Sequence, residues 1–289
     1  MLSEQELLKL CQSAVEAAKA AGVYIQSQFN RHHEIKEKAS GTSLASKVVT
    51  EVDVKAQQII LDYLKPTFQQ FDLGLLTEES VDDQSRLEKP YFWCIDPLDG
   101  TLPFTEGRTG YAVSIALIAQ AGDPSIGVVY VPDRDACYST VKGAGVRLND
   151  QTFERPQIAD DKVLQVYLDN SLQKEAYFKT LQARLDAWST NHEMESLYHF
   201  GYGAVRNALA VMNASHGCYF KPPKPQDGGG SIWDFAATRL FFEELNLHIS
   251  NFTGQPLLLN NPGTTFMNHA GVIYATDSRL ADVIYRMTL

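Results

Sequence analysis

The sequence predicts a mixed fold, with an α+β first half and an α/β second half. Three observations predict it. The chain opens on a long run with helical spacing of apolar residues. Between Tyr91 and Val141, four closely spaced apolar runs read as a largely antiparallel sheet. After residue 150, short apolar runs alternate with helical patterns. At 289 residues and 44% hydrophobic, the chain can bury a large core and divide into two packed halves. The boundary is placed near residue 150, giving halves of 1–150 and 151–289.

Ser3 and Glu6 are spaced as a capping box. Behind them Leu7, Leu8, Cys11, Val15, Ala18, Gly22, Ile25 and Phe29 follow one helical stripe. The polar stretch from Arg31 to Lys47 reads as a loop or hairpin. Thr50 and Asp53 are spaced to cap a second helix through Ala56, Ile59, Ile60 and Leu64, which Pro66 is expected to stop. Strands are expected at 91–95, 112–119, 126–131 and 136–141, with a turn at Gly143-Ala144-Gly145. In the second half, 163–168 and 218–220 read as strands. Helices are expected at 172–188, 205–212 and 232–245. Strands near 248–249 and 272–275 and a last helix complete the chain.

Composition excludes several classes. A net charge of −10 argues against a nucleic-acid partner. No apolar run approaches the length of a membrane span, and the acidic start, Met1 to Glu6, does not resemble a signal peptide. Four scattered cysteines without a C-x-x-C pair fit a reducing cytoplasm. The negative charge does not exclude an anionic small substrate, because bound divalent cations invert the local field.

Chemistry concentrates in Trp93-Cys94-Ile95-Asp96-Pro97-Leu98-Asp99-Gly100-Thr101. An apolar strand ends in two carboxylates three positions apart, followed by Gly-Thr. Carboxylates held close repel unless a cation sits between them. Hard oxygen ligands suit Mg²⁺, Mn²⁺ or Ca²⁺ rather than zinc. Gly100 allows close backbone approach, and the N–H groups of Gly100 and Thr101 are placed to face an anion. A lone Asp-Gly after a strand is more often a turn than a site. Two further acidic islands raise this one: Leu75-Leu76-Thr77-Glu78-Glu79-Ser80, and Gly230-Ser231-Ile232-Trp233-Asp234-Phe235-Ala236-Ala237.

Together these segments resemble the inositol monophosphatase superfamily. Asp96-Pro97-Leu98-Asp99-Gly100-Thr101 matches its D-P-[IL]-D-G-T motif, and Trp233-Asp234-Phe235-Ala236-Ala237 its W-D-x-A-A motif. Val49-Thr50-Glu51-Val52-Asp53 and Glu78-Glu79-Ser80 match two upstream elements, in the family's order. The resemblance implies a layered α-β-α-β-α sandwich of the sugar-phosphatase type, with the site between the halves. It implies a lithium-sensitive phosphomonoesterase with two or three Mg²⁺, or Mn²⁺, acting on a small phosphorylated metabolite. Metal ligands would be Glu78, Asp96, Asp99, Asp234 and the carbonyl of Leu98. Glu78 and Thr101 would activate water, with Asp53 bonded to Thr101, and Gly100 and Thr101 would hold phosphate. Relatives are often dimers, so a homodimer is an expectation.

Substrate contacts are less marked. Lys38 and Lys47 are candidates from the N-terminal loop, and Arg206 and His199 from the second half. Many inositol phosphatases carry a Glu before the W-D motif; this chain reads Tyr219-Phe220-Lys221-Pro222-Pro223-Lys224 instead. The expected substrate is an inositol phosphate, with an adenosine 3′,5′-bisphosphate type nucleotide as the alternative and a sugar phosphate as a third class. A haloacid-dehalogenase site would space its acids two apart, and an EF-hand would need acids at alternating positions. A catalytically silent relative would have no need of all six of Asp53, Glu78, Asp96, Asp99, Thr101 and Asp234.

Overall fold

A computed structural model describes residues 2–31, 36–37, 48–156, 161–228 and 230–285. Helix α1 (Glu4–Gln28) begins at the Ser3–Glu6 capping box, with both reciprocal bonds formed. Strands β1 (Lys36–Glu37) and β2 (Val48–Val49) form a two-residue antiparallel pair. Helix α2 (Glu51–Phe71) follows, capped by Thr50 and Asp53. It runs through Pro66 rather than stopping there. Proline costs a helix the bond to the carbonyl four residues back. Here that carbonyl belongs to Asp62, and both residues lie on the water-exposed face. Leu64 and Thr67 meanwhile keep the inner face buried.

The chain then forms β3 (Gly74–Thr77), the short α3 (Ser85–Glu88), β4 (Tyr91–Asp99) and the short α4 (Thr101–Thr105). Next come β5 (Ala112–Ala119), β6 (Pro124–Val131), β7 (Ala136–Val141), β8 (Val146–Leu148) and β9 (Gln151–Thr152). Strands β3 to β9 make one seven-stranded sheet in sequence order, antiparallel throughout except for the parallel β3–β4 pair. The second half contains β10 (Val163–Leu168), α5 (Phe178–Asn191), β11 (Glu195–Phe200), α6 (Ala204–Met212) and β12 (His216–Lys221). It ends with α7 (Ile232–Glu244), β13 (His248–Ser250), β14 (Val272–Ala275) and α8 (Ser278–Tyr285). Its five-stranded sheet has the order β11-β10-β12-β14-β13, parallel at β11-β10-β12 and antiparallel beyond.

Burial explains the layering. One core joins α1 and α2 to a face of the seven-stranded sheet through Leu10, Ala14, Ile25, Ile60, Trp93, Ile95 and Val128. A second fills the space between the two sheets, where α6 and α7 lie, with Phe92, Ala116, Val205, Phe235, Phe241, Tyr219 and Tyr274. A third packs α5 and α8 on the outer face of the smaller sheet through Leu164, Leu185, Phe220 and Ile284. The order is helix, sheet, helix, sheet, helix, as the resemblance implies. The expected helix over 172–188 is instead a 3₁₀ turn, Asn170–Lys174, and then α5. Strand β11 was not foreseen. Its residues Glu195-Ser196-Leu197-Tyr198-His199-Phe200 lack a clean apolar alternation, because it is an edge strand. Among the described residues, no helix is long and apolar enough to cross a membrane.

Candidate active site

Strand β4 does not stop at Ile95. It continues through Asp99, with its pairing to β5 shifting register between Asp96, opposite Ser114, and Asp99, opposite Ala112. This bulge re-aims both carboxylates at a rigid strand end, a common use of bulges beside functional sites. Leu98 N–H donates to Asp96 Oδ1 at 3.0 Å, fixing the first carboxylate. Gly100 follows in the left-handed region, φ 84°, and a Cβ there would lie 2.6 Å from the Gly110 carbonyl oxygen. Only glycine fits that position without strain.

Thr101 opens α4 and is buried. Its hydroxyl lies 2.8 Å from Asp53 Oδ1 and 3.1 Å from the Leu98 carbonyl, so one proton serves two acceptors. The other oxygen of Asp53 accepts from Thr50 N–H at 2.9 Å and Thr50 Oγ1 at 2.7 Å. The cap of α2 and the link to Thr101 are thus made by one carboxylate. Further along α2, Gln57 Oε1 accepts from Thr77 Oγ1 at 2.6 Å and from Glu79 N–H at 3.1 Å. It holds the Thr77 side chain and the Glu79 backbone on either side of Glu78, whose own N–H donates to the Ile95 carbonyl at 3.1 Å.

Asp234 arrives from the other half, in the first turn of α7, where its carboxylate accepts from Ser231 N–H. Ligand oxygens of Asp96, Asp99 and Asp234 all lie within 4.8 Å of one another. Asp99 is also tied across the halves. Its oxygens accept from Ala204 N–H at 2.9 Å and Val205 N–H at 3.0 Å, at the start of α6. Gly203 permits this approach, since a Cβ there would lie 2.2 Å from Asp99 Oδ2.

The electrostatics are those of an anion cluster short of cations. Burial raises Asp96 well above the ordinary carboxylate range, and Glu78, Asp99 and Asp234 push it further. Burial likewise raises Asp99, with Asp234 adding to it. Asp234 is pushed up to about 6 by burial, although Lys221 pulls it down. Asp53 rises to about 6, again through burial, against the bonds from Thr50 and Thr101. The clustered carboxylates of Asp96, Asp99 and Asp234, with the ammonium of Lys221 acting on the last two, fit hard divalent cations.

A folded-state pKa of about 6 against 3.8 unfolded is a stability term of roughly 3 kcal/mol per group. The sign follows from proton uptake. With raised folded values, the term is fully present below pH 3.8 and is lost as pH rises through about 6. Metal-free protein is therefore expected to lose thermal stability between pH 4 and 7. The rise in Tm on adding Mg²⁺ should grow from near zero at pH 5 to several degrees at pH 7.5. Calorimetry in chelator and in Mg²⁺ checks this, and a Mg²⁺ shift independent of pH would refute it.

Comparison with known proteins bears on what this site is. A model of the inositol monophosphatase family matches residues 6–286. The chain belongs to this family. It is 29% identical over 260 residues to the inositol-1-monophosphatase of Synechocystis, covering 90% of this chain and 85% of that one. It is 27% identical over 241 residues to the Nus factor SuhB of Escherichia coli K12, covering 83% and 84%. Among solved structures, an IMPase of Thermotoga maritima superposes with a TM-score of 0.72 at 18% identity, covering 94% of this chain and 95% of that one. That last likeness is one of fold.

Within this inositol monophosphatase fold, the predicted acids, Gly100 and Thr101 come together. Of the predicted substrate contacts, two fall where no placement is described. Lys38 and Lys47 lie outside the described residues. Arg206 is buried, its guanidinium 2.6 Å from Asp133 Oδ1 and bonded to the Tyr111 carbonyl at 3.2 Å. The guanidinium is thus held by an ion pair within the protein. His199 Nε2 is 2.6 Å from Gln165 Oε1, and its ring stacks on Tyr167. Gln57, the Ala204 and Val205 amides and Lys221 join the site without being among the expected residues. The last had a visible signal: a lysine ending the apolar run Gly217 to Phe220, where a buried strand has no other reason for a charge.

Proposed function

We propose that this protein is a Mg²⁺-dependent phosphomonoesterase acting on a small phosphorylated metabolite. The observation that carries the reading is the convergence of Asp96, Asp99 and Asp234, from two halves of the chain, within 4.8 Å in a buried site. Glu78, Asp96, Asp99, Asp234 and the Leu98 carbonyl would hold two or three Mg²⁺, or Mn²⁺. The Leu98 carbonyl already accepts from Thr101 but has a second lone pair for a cation. When bound, the cations polarise phosphoryl oxygens and lower the pKa of water.

The chain's own groups do the rest. Thr101 shares its proton between Asp53 and the Leu98 carbonyl, which leaves a lone pair on Oγ1 to accept from an attacking water. Glu78, flanked by a Thr77 hydroxyl and a Glu79 N–H that both donate to Gln57, takes up the proton. The Gly100 and Thr101 amides hold the phosphate. Asp234 both caps α7 and joins the cluster, and the helix N-terminus favours its charge.

An inositol phosphate is the first substrate class, with the 3′(2′),5′-bisphosphate nucleotidase reaction as the alternative. The name Nus factor borne by a relative raises a non-catalytic, partner-binding reading. The intact acid set favours catalysis over it, and the net charge of −10 disfavours a nucleic-acid partner. The four described cysteines are buried free thiols, which fits a cytoplasmic protein.

Phosphate release from a panel of inositol phosphates, adenosine 3′,5′-bisphosphate and fructose 1,6-bisphosphate tests the proposal. Chelation is expected to abolish turnover, and Mg²⁺ to restore it. Full turnover in excess chelator would sink the metal-dependent reading.

A further inference from the structure

Strands β10 and β12 run parallel, in a register that sets Tyr167 beside Tyr219. Their carboxyl ends therefore share one sheet edge, where open α/β sheets present ligand sites. Asp169 follows β10, and Lys221 ends β12. Lys221 Nζ lies 3.0 Å from Asp169 Oδ2 and 5.7 Å from the centre of the Phe235 ring, beside Asp234. Burial opposes its charge, but Asp169 and Asp234 outweigh this and raise its pKa. Two residues deeper on the same strand face, Tyr219 is fully buried and its hydroxyl has no hydrogen-bond partner. Burial, and then the charges of Asp169, Asp234 and Asp99, raise the pKa of that hydroxyl.

A buried phenol without an acceptor is costly unless a ligand completes it. Donors dominate this edge: the ammonium of Lys221 and the Tyr219 hydroxyl, against the one carboxylate of Asp169. Cations bound to the acids would cancel the pull of Asp99 and Asp234 on Lys221, leaving it Asp169 alone. A neutral polyol needs donors and acceptors in balance, whereas an anion accepts only. We propose that Lys221 and Tyr219 receive a second anionic group, a phosphate or carboxylate, on the alcohol part of the substrate. This rests on the phosphomonoesterase reading above.

The test compares kcat/KM within two pairs. Adenosine 3′,5′-bisphosphate is set against adenosine 3′-monophosphate, and 2-phosphoglycerate against glycerol 2-phosphate. The doubly anionic member of at least one pair is expected to be favoured by about tenfold or more, as for a charge-assisted bond. A gain in the first pair alone identifies a phosphate receptor, and in the second alone a carboxylate receptor. Lys221→Met should collapse the preference toward one, chiefly through KM of the doubly anionic substrate. Lys221→Arg should keep most of it, and Tyr219→Phe should lower it in part. Asp169→Asn removes the competing acceptor and should raise it, a reading that survives if Lys221→Met does not fold. Wild-type preference for the monoanionic members, or a preference unmoved by Lys221→Met and Asp169→Asn, would overturn the inference. If the wild type releases phosphate from none of the four, nor from any of the panel above, the phosphomonoesterase reading fails and takes this one with it.

Discussion

Asp96→Asn is expected to lower kcat by more than about 100-fold, since loss of mere supporting groups around a metal already costs 10- to 100-fold. The amide keeps the shape of the carboxylate and, through Oδ1, the bond from Leu98 N–H. What it removes is the site's ability to take a negative charge inside a buried cluster, where burial and then Glu78, Asp99 and Asp234 already oppose ionisation. The metal-free fold should therefore hold, or melt at a higher temperature than wild type. Asp99→Asn is expected to lower kcat comparably but to behave differently in stability. Both oxygens of Asp99 accept backbone N–H groups, from Ala204 and Val205. An asparagine offers one oxygen and turns an NH₂ toward the other donor, leaving a buried amide unpaired at a cost of about 1–3 kcal/mol. Calorimetry in chelator should rank Asp96→Asn at or above wild type and Asp99→Asn below it. An Asp96→Asn enzyme with near wild-type kcat would show that this carboxylate only shapes a turn.

This contrast marks where the sequence was legible. The acids stand at ends of apolar runs, so rigid strands and helices aim them, and local pattern is enough to find them. The capping boxes at Ser3–Glu6 and Thr50–Asp53 are likewise local, each closed within four residues. The bond from Asp99 to the start of α6 spans more than a hundred residues, and no short-range pattern reports it. Gln57 is invisible for the same reason: on α2 it looks like any polar helical residue, and its role comes from the Thr77 hydroxyl and Glu79 N–H that donate to it. The ion pair of Arg206 was not legible either, because an arginine on a helix gives no sign that Asp133 will meet it. Pro66 misled because helix-breaking is a matter of which carbonyl is lost, and here water can replace it.

Thr101→Ala is expected to lower kcat by roughly 10²- to 10⁴-fold with little change in KM, the range for a positioned acid–base group. The substitution deletes the hydroxyl and leaves the backbone amide, so groups proposed to hold phosphate stay in place. Asp53 then keeps its two bonds from Thr50, and α2 remains capped. Thr101→Ser returns the oxygen and should recover much of the loss. Asp53→Asn should act as a weaker version of Thr101→Ala, because an amide can still accept from the hydroxyl or cap the helix but cannot do both equally well. If Thr101 and Asp53 work as one unit, the double variant will be little worse than Thr101→Ala alone, and a double-mutant cycle in kcat will be clearly non-additive. Additive losses would mean that Asp53 serves only the helix. A raised KM with intact kcat in Thr101→Ala would make the hydroxyl a binding group and leave the activation of water to Glu78 and the cations.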